Sequence, residues 1–75
     1  MVKAFVLINV DSGTEKEALK QLSALPEVKA SYFVYGLYDV VAFLETNSMD
    51  KLKEAIDHKV RALEGVKSTL TTIVT

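Results

Sequence analysis

Ala24-Leu25-Pro26-Glu27-Val28-Lys29-Ala30-Ser31 returns 38 residues later as Ala62-Leu63-Glu64-Gly65-Val66-Lys67-Ser68-Thr69. Each copy closes an apolar stripe of helical spacing, breaks it, and opens a β-rich run. Pro26 breaks the first, because proline disfavours helical geometry in the residue before it. Gly65 breaks the second as a left-handed cap. Upstream of each break the stripe is explicit: Ala18, Leu19, Leu22 and Leu25, then Met49, Leu52, Ile56, Val60 and Leu63. Thr14 to Glu17 fits a capping box, and Thr46-Asn47-Ser48 offers N-cap oxygens to the second helix.

Strands fill the remainder. Val2–Val10, Glu27–Tyr35, Val40–Glu45 and Val66–Val74 are short and rich in β-branched and aromatic residues. The order is βαββαβ. Two right-handed βαβ units put both helices on one sheet face, which predicts a ferredoxin-like α+β sandwich with antiparallel strand order 4-1-3-2. Strands 1 and 3 are apolar on both sides, as central strands are. Strands 2 and 4 carry Lys29, Ser31, Lys67, Thr69 and Thr71 and fit the edges.

Helices on one side leave the other face open. Simple alternation assigns that face Phe5, Leu7, Phe33, Tyr35, Val41, Phe43 and Ile73. A patch of this size is unusual on a monomer. A sheet-to-sheet homodimer covers it, with Phe5, Leu7, Phe33, Val41, Phe43 and Ile73 as the expected interface. The 75 residues make one expected domain, and a chain this short buries only about 60% of its unfolded surface.

Composition excludes several chemistries. Nine Lys and Arg stand against ten Asp and Glu, so there is no excess charge for a phosphate backbone. With no Cys and one His, the chain has no disulfide framework, thiol nucleophile or multi-His metal site. No metal, cofactor or catalytic residue is expected. No run approaches the roughly 18 apolar residues of a membrane span, and no signal peptide is evident, so a cytoplasmic protein is expected.

Gly36-Leu37-Tyr38-Asp39 has two readings. It is a ligand loop, with backbone amides after Gly36 for a carboxylate and Asp39 either for an ammonium or to fix the loop. Or it is a plain hairpin turn whose Asp bonds neighbouring amides. Thr69, Thr71 and Thr72 offer hydroxyls, or simply strand propensity. Tyr32, Tyr35 and Tyr38 line a pocket or an interface rim. His58 lies off the apolar stripe and faces solvent.

The ordered set Gly36-Leu37-Tyr38-Asp39-Val40-Val41, a helix, Leu63-Glu64-Gly65-Val66 and Thr69-Leu70-Thr71-Thr72-Ile73-Val74 resembles the C-terminal effector (RAM) domain of the Lrp/AsnC transcription regulators. The resemblance covers nearly the whole chain. It implies a dimeric α+β barrel, assembly of dimers into rings such as octamers, and a free amino acid bound between dimers. By motif matching, the effector site falls on Tyr35, Gly36, Leu37, Tyr38, Asp39, Thr69 and Thr71. Family regulators carry an N-terminal helix-turn-helix, whereas this sequence opens on a strand. The resemblance is therefore to the module without its DNA reader, acting through partners such as full-length regulators. Direct DNA binding is not expected. The alternatives are a small dimeric α+β-barrel enzyme, of monooxygenase or isomerase type, and an ACT-like sensor. An enzyme would be expected to place polar groups on the sheet side, where this sequence places Phe, Val, Leu and Ile.

Overall fold

A computed structural model describes all 75 residues. The elements are β1 (Val2–Val10), α1 (Glu15–Ser23), β2 (Val28–Phe33), β3 (Val40–Thr46), α2 (Met49–Glu54, continuing as a π-helical turn over Ala55–Val60) and β4 (Val66–Val74). The sheet is antiparallel in the order β2-β3-β1-β4, the 4-1-3-2 arrangement expected from the repeat.

The core lies between the sheet and the helices. Ala4, Val6, Ile8 and Val10 of β1 and Val40, Ala42 and Leu44 of β3 meet Ala18 and Leu22 of α1. Leu52, Ala55, Ile56 and Val60 close it from the α2 segment. Period-2 alternation in the strands and 3.6-residue periodicity in the helices bring these residues onto facing surfaces. The second stripe is legible up to Ile56. There the helix widens: Arg61 N–H donates to the Ile56 carbonyl, five residues back, at 3.0 Å. In this wide turn Ala55, Ile56 and Val60 are all buried, while Met49, the expected start of the stripe, stands 39% exposed.

The helix starts differ. Ser48 Oγ accepts from Lys51 N–H at 3.2 Å, an ordinary N-cap. Thr14 does not form the expected capping box. Its hydroxyl donates to the Asp11 carbonyl at 2.6 Å, and Glu17 instead accepts from Gln21 within α1 at 3.0 Å. Thr14 N–H also donates to the Asp11 carbonyl, at 3.0 Å, and Gly65 leaves room for the Thr14 side chain. A Cβ built on Gly65 would lie 2.8 Å from Thr14 Oγ1, and the φ of +90° disfavours any side chain there. Asp11 N–H then donates to the Gly65 carbonyl at 2.7 Å.

Register corrects the expected open face. Phe33 pairs with Val40 and Ile73 pairs with Ala4, so both lie on the helix side. Tyr35 lies beyond the end of β2, fully exposed in the following loop. The cause is a bulge at the start of each edge strand. Val28 faces Leu44 and Ala30 faces Phe43; Val66 faces Val10 and Ser68 faces Asn9. Lys29 and Lys67, equivalent residues of the sequence repeat, are the extra residues. Each inverts the alternation downstream. The open face is therefore Leu70, Leu7, Val41 and Tyr32 in one row, and Thr72, Phe5, Phe43 and Ala30 in the next. Phe5 and Phe43 are in ring contact, with centroids 5.0 Å apart.

Candidate functional site

Gly36 turns the β2–β3 connection with φ +124°, a conformation open to glycine and strained for other residues. Nothing lies within 4 Å of where its Cβ would be, so the backbone there is bare on one side. Tyr35 and Leu37 flank it at 106% and 89% exposure. Tyr38 and Asp39 are partly buried.

Asp39 anchors the loop three ways. Its N–H donates to the Ile8 carbonyl and its carbonyl accepts from Val34 N–H, both at 3.0 Å. Its Oδ2 accepts from Val10 N–H, also at 3.0 Å. The carboxylate thus satisfies the last amide of β1, whose own side chain is buried, and ties the loop to the centre of the sheet. Asp39 does fix the loop, but through an amide 29 residues away on β1 rather than the neighbouring amides of the turn reading. The amides around Gly36 are the part of the segment left to meet a ligand.

Thr69 pairs with Ile8, and Ile8 pairs with Val40, so Thr69 sits level with the loop across β1. Two strand spacings make that roughly 10 Å. Thr71 lies one row further down the helix side, opposite Val6. The candidate residues are brought to one end of the sheet, but a single chain does not close them around one cavity. Thr69 lines a shallow depression of about 510 Å³ with Arg61, Val66, Lys67 and Ser68. Arg61 was not singled out in the sequence. Its place at the end of the α2 segment, 3.8 Å from Asp57 and well exposed, brings a guanidinium to the same end as Thr69. A cation in the last turn of a helix is a weak signal, because it also suits the helix dipole.

Away from the loop, Lys59 Nζ lies 2.7 Å from Glu27 Oε2. This hydrogen bond holds the Glu27 carboxyl below its ordinary value of 4.5, against the opposing effect of burial. His58 is exposed, and no three His, Cys, Asp or Glu residues converge as a metal site.

The profile of the Lrp/AsnC ligand binding domain matches residues 3–75. The chain belongs to the Lrp/AsnC family. Among curated relatives, the HTH-type transcriptional regulator FL11 of Pyrococcus furiosus is 36% identical over 73 residues, covering 97% of this chain and 48% of the regulator. The chain thus spans about half the length of that relative. Among solved structures, FFRP-DM1 superposes with a TM-score of 0.97 at 39% identity, with both chains covered in full. AsnC of E. coli superposes at 0.91 and 30% identity over 97% of this chain and half of its own. A homocitrate synthase of Sulfurisphaera tokodaii also contains a segment 31% identical over 74 residues, 16% of that enzyme. The Lrp/AsnC domain here has the βαββαβ layout of its relatives, and no helix in it is long and apolar enough to cross a membrane.

Proposed function

We propose that this Lrp/AsnC domain is a regulatory module that binds a free amino acid and acts through partner proteins in the cytoplasm. The observation that carries the reading is the loop at Gly36–Asp39: a bare, left-handed backbone turn whose base Asp39 fixes to β1. Amides in such a turn suit a carboxylate, and nearby carbonyls suit an ammonium. A Neisseria meningitidis regulator of the same fold, 16% identical, was solved as a complex with L-Met.

The module is not an enzyme in this reading, since the open sheet face holds aromatic and aliphatic side chains and no nucleophile–base pair. It dimerises through that face. Tyr35 and Leu37, protruding beside the loop, then supply apolar surface for contact between dimers, so that the effector is bound where dimers meet. Its partners are further copies of this chain and full-length regulators of the family. With a formal charge of −1, these residues are poorly suited to bind DNA themselves. The match within a homocitrate synthase favours a second reading, in which the partner is a biosynthetic enzyme rather than a DNA-binding protein.

Calorimetry with the twenty amino acids, on the wild type and on Gly36→Val, tests the effector site. The wild type is expected to bind at least one of them in the micromolar to millimolar range. Gly36→Val, strained at φ +124° and branched beside the amides, is expected to lose that binding while keeping the dimer. No binding by the wild type, or unchanged binding by the variant, overturns the assignment.

A further inference from the structure

The end of the sheet away from Gly36–Asp39 holds an open cleft of about 410 Å³. The α1–β2 turn, the bulged start of β2, the end of β3 and the α2 segment form it. Along β3 it is separated from the loop by roughly 20 Å, at about 3.3 Å per residue. Lys29, Lys51 and Lys59 bring three ammonium groups to its wall, and Glu27, Glu45 and Glu54 bring three carboxylates. Two of the eleven lining residues are hydrophobic, so most of the residues around the cleft are polar or charged.

Some of these charges are committed. Lys59 is paired with Glu27 at 2.7 Å, and Lys29 donates to the Pro26 carbonyl at 3.2 Å. Glu45 has a long contact with Lys3 at 4.0 Å. Lys51 and Glu54 lie one helical turn apart on α2 and have no ion-pair partner. Glu27 Oε1, buried at the cleft, accepts no hydrogen bond.

The balance of signs selects the ligand. Among the side chains lining the cleft, an ion of one sign would meet as many repelling as attracting groups. A metal ion is disfavoured because the carboxylates do not converge. A small molecule carrying both signs gains from both sets. We propose that this cleft is a second binding site, for a small zwitterion whose carboxylate meets Lys51 and Lys29 and whose ammonium meets Glu54. It is independent of the site at Gly36–Asp39.

Amide chemical shifts of the full chain, titrated with glutamine, test the proposal, because the two ends of the sheet report separately. Saturable shifts are expected at Lys29, Asn47, Lys51 and Ala55 in the millimolar range. Lys51→Ala and Glu54→Ala alter exposed side chains, so the fold is kept, and each is expected to weaken that response at least fivefold. Acetate or methylammonium alone is expected to give no saturation. Shifts at Gly36–Asp39 with none at the cleft overturn the second site and spare the effector reading. Shifts at the cleft with none at the loop support the second site and count against the effector reading for this probe. A response matched by sodium chloride, or unchanged in both variants, also overturns the second site.

Discussion

Asp39 joins an element that the sequence makes visible to one that it hides. The Gly-x-x-Asp spacing is legible, and so is the capacity of an Asp to bond nearby amides. Its partner, Val10 N–H, is 29 residues away and depends on β1 lying beside β3. Removing the carboxylate leaves a part-buried amide without an acceptor, which costs about 1–3 kcal/mol. Asp39→Ala is therefore expected to lower the unfolding free energy from urea titration by that amount, and Asp39→Asn, which keeps a carbonyl oxygen, to restore most of it. Equal loss in both would mean that the charge matters rather than the acceptor.

Glu27 carries a pH dependence whose sign follows from Lys59. The bonded ammonium lowers the carboxyl pKa in the folded chain. The pair's contribution is complete above the ordinary value near 4.5 and is lost as acid protonates Glu27 in the folded state. Urea titrations between pH 7 and 3 are expected to show wild-type stability falling toward Glu27→Gln in that acid window. Parallel curves for the two proteins would contradict the assignment.

Among the elements, the sequence was most legible where the period was long and uninterrupted. The α1 stripe, the α2 stripe to Ile56, both central strands and the strand order follow from spacing alone. What it did not reveal came from single-residue irregularities. One bulge residue in each edge strand inverts every side chain after it, moving Phe33 and Ile73 to the helix side and Tyr32 and Leu70 to the open face. The bulges fall on Lys29 and Lys67, the same position of the repeat, so the repeat is one of backbone shape as well as residue type. Bulges and lysines at sheet edges also discourage unwanted strand pairing. The wide turn at Ala55–Val60 was equally hidden, since its buried residues still approximate a helical stripe.

The corrected register yields a test of which face dimerises. Leu70 and Phe33 are similarly exposed, at 49% and 52%, but lie on opposite sides of the sheet. Leu70→Asp would place an unpaired charge in a sheet-to-sheet interface, at a cost of about 3–5 kcal/mol. Sedimentation at micromolar concentration is expected to show Leu70→Asp as a folded monomer and Phe33→Asp as an unchanged dimer. The reverse pattern would move the interface to the helix side.

At the scale of the whole molecule, fold and candidate site pull in the same direction. A 75-residue chain has a core on one side of its sheet and apolar side chains on the other. It also has a bare loop that shares no cavity with Thr69 and Arg61, which line a separate depression. Assembly would answer both features: sheet-to-sheet contact covers the apolar face, and contact between dimers completes the cleft around the loop. The proposed effector site was less legible than the fold for this reason. Spacing marks Gly36 and Asp39, but the walls that close around a ligand belong to more than one chain in this account.

Native mass spectrometry of the 8.3 kDa chain, with and without a panel of free amino acids, tests the central claim most directly because it reads assembly and ligand together. Even-numbered oligomers that retain a specific amino acid are expected, with Gly36→Val keeping the dimer and losing the ligand. A stable monomer that retains none of the panel would contradict it.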